Sequence, residues 1–189
     1  MSLRLGVMAS GRGSNFQAIL KEIEAGKLDA SIEILVSDRA NAPALGIAQA
    51  HGIEATALPY DKNFRQGFEQ AAGDLFTQKN CDYIVLAGFM RILTPGFLER
   101  FENRVLNIHP SLLPSFKGLH PQRQALEAGV KFSGCTVHLV TPDLDAGPIL
   151  AQAVVPVHGD DTEETLSQRI LAEEHRVYAE AIRVLNRRG

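Results

Sequence analysis

The chain has 189 residues, enough for one domain with a sizeable buried core, and 45% of them are hydrophobic while 22% are charged. These are ordinary values for a globular protein, so they exclude disorder as the main state of the chain. The 22 acidic and 19 basic side chains give a net charge of −3, and basic residues cluster only at Arg183, Arg187 and Arg188. This balance argues against a nucleic acid as partner, although a small anion needs only a local site.

The cysteines and the apolar segments indicate the cellular location of the protein. Cys81 and Cys135 are far apart and lack CxxC spacing, which argues against a disulfide framework and a thiolate zinc site. No His spacing typical of a metal site occurs, so we expect no metal. The N-terminus lacks the apolar region of a signal peptide, and no run approaches the ~20 apolar residues of a membrane span. We therefore expect a cytoplasmic protein without a membrane partner.

Short apolar runs alternate with amphipathic segments through residue 108. The predicted strands are 3–9, 31–37, 53–58, 82–87 and 104–108, and the predicted helices are 14–26, 43–52, 64–79 and 95–101. Apolar residues recur at helical spacing in the first helix, and the run DYIVLA is as apolar as a buried parallel strand. This alternation predicts an α/β fold with a doubly wound, mostly parallel sheet.

The remainder of the chain follows a different order. A helix is predicted at 122–129, then strands at 134–140 and 149–157 around a turn-rich loop, then a long helix at 162–185. The two strands can pair in an antiparallel manner. No internal repeat or linker interrupts the pattern, so we expect residues 1–189 to form a single domain.

The loop Ser10–Asn15, with the sequence SGRGSN, is the first candidate site. It joins a strand to a helix, the position at which α/β sheets bind anions on helix N–H groups. Its glycines let the backbone approach a ligand, and Ser14 or Asn15 can cap the helix and also offer a side-chain donor. Phe16 breaks the GxGxxG pattern, and only Asp38 is an acidic residue placed for a ribose after the second strand. One phosphate is therefore favoured over a dinucleotide, with a tight capped turn as the alternative.

Asn107 and His109 form the second candidate site. Side chains alternate along a strand, so these two share one side, about 6–7 Å apart, while Leu106 and Ile108 take the other. They stand at the carboxyl end of the strand, where ligands bind in such sheets. An amide and an imidazole facing one cavity suit the stabilisation of an oxyanion and the transfer of a proton.

The loop 141–148, with the sequence TPDLDAGP, is the third candidate site. Its composition makes it a turn region in any case. A carboxylate here could orient His109 and favour its charged form, and Asp143 and Asp145 are both candidates. His138, in the preceding strand, is interpreted as a core or edge histidine.

Five segments resemble one family: GRGSN, LAGFMRIL, NIHPSLLP, GLHPQRQALEAG and TVHLVTPDLDAGPIL. Together they are similar to the folate-dependent glycinamide ribonucleotide (GAR) transformylases, within the wider formyltransferase superfamily. The resemblance spans nearly the whole chain. It implies a Rossmann-like formyltransferase domain whose N-terminal half binds the phosphorylated substrate and whose C-terminal half binds folate and holds the catalytic residues.

The resemblance also assigns site residues. It implies that Asn107, His109 and Asp145 are catalytic, and that Gly13, Ser14 and Asn15 hold the substrate phosphate. It places Glu174 near the substrate, where Leu171, one turn earlier, is apolar in place of a polar contact of some relatives. The implied folate-binding residues are Arg65, Met90, Arg91, Ile92, Leu93, Val140, Thr141 and Asp143.

The implied reaction transfers the formyl group of 10-formyltetrahydrofolate, a co-substrate, to the amine of GAR in purine synthesis. The implied partners are these two small molecules, and the protein is expected to act as a monomer or homodimer. The alternatives are a formyltetrahydrofolate deformylase and a non-catalytic phosphate-binding module. We expect the length of the chain to leave no room for the regulatory domain of the deformylases.

Overall fold

The computed structural model describes residues 2–186, so Arg187 and Arg188 of the basic cluster lie outside the described residues. The strands are β1 Leu3–Met8, β2 Ala30–Ser37, β3 Glu54–Ala57, β4 Tyr83–Leu86, β5 Val105–His109, β6 Phe132–Leu139 and β7 Ile149–Pro156. The helices are α1 Ser14–Glu24, α2 Pro43–Ala50, α3 Arg65–Gln78, α4 Pro95–Arg100, α5 Pro121–Glu127 and α6 Glu163–Asn186. Each predicted element is present with small shifts at its ends. Among residues 2–186, no helix is both long and apolar enough to cross a membrane.

The seven strands form one sheet in the order β3-β2-β1-β4-β5-β6-β7. Strands β1 to β5 run parallel, and β6 is antiparallel to both β5 and β7. The predicted mostly parallel sheet with a later antiparallel element is thereby confirmed. Strands β2 and β3 lie on one side of β1, and β4 and the later strands lie on the other, so the direction of the strand order reverses at β1. A crevice for ligands forms at the carboxyl ends of strands at such a point.

Helices cover both faces of the sheet because the strands are apolar on both sides. Helices α1, α2, α5 and α6 pack on one face, over a core that includes Phe16 and Leu106. Helices α3 and α4 pack on the other, where Phe68 and Val105 are buried. Leu106 and Val105 therefore point to opposite cores, as the alternation along a strand predicts.

Tyr178 ties α6 to the strands that carry the candidate site. Its side chain is fully buried, and its hydroxyl donates to the carbonyls of Leu86 at 2.9 Å and Leu106 at 3.1 Å. Burial raises the pKa of Tyr178 well above its ordinary value, so the hydroxyl keeps the proton that it donates. The carboxyl end of β4 and the first half of β5 are thus fixed relative to α6.

Candidate active site

Two cavities open at the carboxyl ends of the central strands. The smaller, of about 230 Å³, lies between the loop Ser10–Asn15 and residues 87–90. The larger, of about 350 Å³, lies between residues 86–93 and the loop that joins β6 to β7. The segment 86–93 contributes to both cavities. All three sites proposed from the sequence therefore meet at this edge of the sheet.

Gly13 determines the shape of the smaller cavity. It is the N-cap of α1 with φ of +65°, and a Cβ at this position would lie 2.8 Å from Cβ of Ala44. Only glycine fits both the left-handed backbone and this close approach. The prediction that Ser14 or Asn15 caps α1 is wrong, because the cap position belongs to Gly13 and no side chain bonds there. The first N–H groups of α1 are thus left for an anion.

The Asn15 side chain has a different partner from the one expected. Its Nδ2 donates to Oε2 of Glu174 on α6 at 2.9 Å, and both side chains are buried. Burial raises the pKa of Glu174 above its ordinary value, and the hydrogen bond from Asn15 opposes this shift. The acid on the last helix is therefore linked directly to the loop of the smaller cavity.

His109 lies at the end of β5 with acceptors at both ring nitrogens. Its Nδ1 is 3.4 Å from Oδ2 of Asp145, and its Nε2 is 2.9 Å from the carbonyl oxygen of Phe116. A carbonyl only accepts, so Nε2 carries a proton. Asp145 has φ of +47°, and its Oδ2 also accepts from N–H of Gly118 at 2.9 Å. Asp143, the other candidate, is exposed and makes no hydrogen bond or ion pair with His109 within residues 2–186.

His138, interpreted from the sequence as a core or edge histidine, belongs to this cluster. It pairs with Asn107 across β5 and β6, and its Nε2 lies 3.5 Å from Nδ2 of Asn107 and 3.9 Å from Oδ1 of Asp145. Its Nδ1 lies 2.9 Å from the carbonyl oxygen of Leu139, to which it donates. Burial lowers the pKa of His138, which leaves Nε2 free of a proton as an acceptor for the Asn107 amide. The sequence feature that could have predicted this role is the position of His138 in β6, the strand that leads directly into the loop with Asp145.

The larger cavity contains most of the residues assigned to folate. Arg91, Ile92, Leu93, Val140, Thr141 and Asp143 line it, together with Asn107, His138 and Asp145. Met90 lines the smaller cavity instead. Arg65, the first residue of α3, is exposed and lines neither cavity. A cavity whose lining combines apolar side chains with a smaller number of polar ones is typical of a small-molecule site.

Ser10 joins the two cavities through the segment 86–93. Its N–H donates to the carbonyl of Gly88 at 3.2 Å, and its Oγ accepts from N–H of Met90 at 2.9 Å. Ligands in the two cavities would therefore be neighbours across one stretch of chain. In the described part of the chain, no group of three or more His, Cys, Asp or Glu residues could hold a metal ion.

Comparison with known proteins gives a consistent result. The model of the formyl transferase family matches residues 3–182. The chain is 40% identical over 177 residues to the phosphoribosylglycinamide formyltransferase of Escherichia coli, with 93% of this chain and 84% of that protein covered. It is 41% identical over 184 residues to the human trifunctional purine biosynthetic protein adenosine-3, covering 96% of this chain but only 18% of that protein.

Solved structures show the same likeness. Glycinamide ribonucleotide transformylase 1 from Symbiobacterium toebii superposes with a TM-score of 0.91 at 48% identity, covering 96% of this chain and 86% of that one. A formyltetrahydrofolate deformylase from Pseudomonas syringae superposes with a TM-score of 0.90 at 32% identity, covering 97% of this chain and 61% of that one. Proteins named for two different activities are thus represented among the similar structures.

Proposed function

The chain belongs to the formyl transferase family, and we propose that it transfers the formyl group of 10-formyltetrahydrofolate to the amine of GAR. The products are formylglycinamide ribonucleotide and tetrahydrofolate, in de novo purine synthesis. The observation that carries the proposal is the cluster of Asn107, His109 and Asp145, of which Asn107 and Asp145 line the larger cavity. The names of the E. coli relative and of the S. toebii structure support the same reaction.

The smaller cavity is the proposed site for the phosphate of GAR. Gly13, Ser14 and Asn15 begin α1, whose N-terminal N–H groups and partial positive charge suit a phosphate. The hydroxyl of Ser14, which lines this cavity, is placed to add a further donor. Glu174 supports the loop through Asn15 and is proposed as a second, weaker contact of the substrate.

The larger cavity is the proposed site for 10-formyltetrahydrofolate. The proposed contacts are Arg91, Ile92, Leu93, Val140, Thr141 and Asp143, with Met90 and Arg65 as contacts outside this lining. Since Asn107 and Asp145 line the same cavity, the formyl carbon would lie beside them. We also propose that the chain acts as one catalytic domain in the cytoplasm, as a monomer or homodimer.

The proposed reaction begins when the nitrogen of the GAR amine attacks the formyl carbon. A C–N bond forms, and the carbonyl electron pair moves to the formyl oxygen, which becomes an oxyanion. The amide of Asn107 and the protonated ring of His109 stabilise that charge. The tetrahedral intermediate then collapses, and the bond from the formyl carbon to N10 of the folate breaks. N10 takes the proton of His109 Nε2, which replaces its hydrogen bond to the Phe116 carbonyl with one to the folate in this step.

Asp145 has two proposed roles in these steps. It orients the ring of His109, because its Oδ2 lies 3.4 Å from Nδ1. It also accepts, through a water molecule, the proton that the amine loses after attack. His138 is proposed as a positioning residue, because its neutral Nε2 fixes the orientation of the Asn107 amide.

A turnover assay tests the proposed function. Purified protein is mixed with 10-formyltetrahydrofolate in the presence and absence of GAR, and loss of the formyl folate is followed. Turnover that depends on GAR is the expected result. Turnover without GAR would instead indicate a deformylase, the reaction named for the P. syringae structure. Binding of GAR without turnover in either mixture would indicate a non-catalytic phosphate-binding module.

A further inference from the structure

From the sequence, Asp38 is the acidic residue after the second strand that is placed for a ribose. In the structure its carboxylate forms an ion pair with Arg91. Asp38 directly follows β2, its side chain has 0% exposure, and its Oδ2 lies 2.7 Å from Nε of Arg91. It lines neither cavity. A carboxylate without exposed surface does not bind a ribose hydroxyl, so another role accounts for it better.

Arg91 is held from a second direction by an aromatic cluster. Its guanidinium carbon lies 4.3 Å from the centroid of the Tyr60 ring. Tyr60 packs edge-on against Phe68 at 5.7 Å, and Phe68 stacks on Phe89 at 5.8 Å. A guanidinium over an aromatic face is attracted by the ring and keeps its plane parallel to a fixed surface. The ion pair and the ring together determine where the guanidinium lies.

This arrangement leaves the terminal nitrogens of Arg91 available. Asp38 accepts from Nε only, and within residues 2–186 the two Nη atoms make no hydrogen bond. The Arg91 side chain is 33% exposed, and it is the one Lys or Arg among the described residues that line the larger cavity. A guanidinium with two free Nη atoms is suited to a carboxylate.

We propose that Asp38 and Tyr60 are positioning residues that hold Arg91 ready for the anionic end of the formyl folate. The inference rests on the proposed function in that a folate, with its glutamate carboxylates, is the ligand of the larger cavity. Ordering a long side chain in advance removes part of the entropy that binding would otherwise lose. Within residues 2–186, no hydrogen bond or ion pair joins Asp38 or Tyr60 to the catalytic cluster. The effect therefore falls on folate binding and not on kcat.

The test uses four variants of the full chain and one control. The variants are Asp38→Asn, Tyr60→Leu, Arg91→Gln and the double variant of Asp38 and Arg91. The control is Asp74→Asn, whose carboxylate pairs with Arg100 at 2.8 Å on the exposed surface. KM and kcat are measured with 10-formyltetrahydrofolate at saturating GAR. Calorimetry gives the Kd of 10-formyl-5,8-dideazafolate, a stable analogue, without any need for turnover.

Asp38→Asn is expected to raise both KM and Kd about tenfold, the effect of losing roughly one charge-assisted hydrogen bond to the ligand. We expect kcat to stay near the unmodified value, a smaller rise for Tyr60→Leu, and no change for Asp74→Asn. In the Arg91→Gln background, Asp38→Asn should add no further rise, because it acts through Arg91.

Two results would overturn the inference. One is an unchanged Kd in folded Asp38→Asn, and the other is an equal rise with and without Arg91, which would indicate general damage at the end of β2. If Asp38→Asn does not fold by circular dichroism, Tyr60→Leu decides, and an unchanged Kd there overturns it. Analogue binding without turnover by the unmodified chain would reject the proposed function alone, while absence of binding would reject both.

Discussion

Nδ1 of His109 lies 3.4 Å from Oδ2 of Asp145, and this contact joins the end of β5 to the loop between β6 and β7. A third segment fixes both partners. The carbonyl of Phe116 accepts from Nε2 of His109, and the N–H of Gly118 donates to Asp145, each at 2.9 Å. The imidazole ring therefore has an acceptor at each nitrogen, an arrangement that suits a ring which holds a proton for transfer.

His109→Ala and Asp145→Asn are expected to lower kcat while leaving the KM of both substrates nearly unchanged. Loss of one group that stabilises an oxyanion costs about 10²–10³ in rate, because the interaction exists only in the transition state. Steady-state kinetics on the purified variants measure this. Asp29→Asn serves as control, because Asp29 is exposed and directly precedes the amino end of β2, away from the carboxyl ends of the strands. Near-normal kcat in either variant would reject the proposed roles.

His138→Phe is expected to lower kcat about tenfold with KM retained, since the ring volume remains while the acceptor for the Asn107 amide is lost. An amide free to rotate would stabilise the oxyanion less well. The measurement is kcat together with the thermal midpoint, and His158→Phe, at an exposed histidine, is the matched control. A rise in KM with kcat unchanged would show that His138 does not act through Asn107.

Ser14→Ala is expected to raise KM for GAR about threefold to tenfold, the effect of one hydrogen bond to the phosphate, with kcat little changed. Contacts to a non-reacting phosphate are equal in the ground state and the transition state, so they influence binding. Initial rates at varied GAR measure the effect, and Ser31→Ala on β2 is the control. A large loss of kcat at unchanged KM would instead place chemistry at this loop.

The order of elements and the pairing of Asn107 with His109 on one side of a strand could be predicted from the sequence. Both depend on local periodicity, and the folded strand retains this periodicity, because Leu106 faces one core and Val105 the other. The residues alone left Asp143 and Asp145 equivalent. In the structure Asp145 has a left-handed backbone, and its carboxylate accepts from the N–H of Gly118 beside His109, whereas Asp143 is exposed.

The features that could not be predicted depend on contacts between distant segments. His138 meets Asn107 because β6 pairs with β5 in one particular register, which no local pattern specifies. Asp38 meets Arg91 because β2 and β4 flank β1 and their carboxyl ends share one edge. The hydrogen bond from Asn15 to Glu174 on α6 likewise joins residues 159 positions apart, which no local pattern specifies.

Glu174→Gln is expected to stabilise the protein at pH 7.5 and to have little effect at pH 4. Burial raises the pKa of Glu174 above 4.5, so between 4.5 and the raised value the folded state binds more protons than the unfolded state. In that range stability falls as pH rises, and below it the carboxyl is protonated in both states and the cost disappears. Glutamine stays neutral at every pH and still accepts from Nδ2 of Asn15.

The thermal midpoint of Glu174→Gln at pH 7.5 should exceed that of the unmodified chain by about 2–4 °C, which corresponds to roughly 1 kcal/mol in a domain of this size. Thermal unfolding followed by circular dichroism at both pH values measures the difference. Glu173→Gln, which alters a neighbouring carboxylate in the pair with Arg176, is the matched control. An equal rise of the thermal midpoint at pH 4 and pH 7.5 would mean that the substitution acts through packing. It would contradict the prediction that the buried charge of Glu174 destabilises the protein.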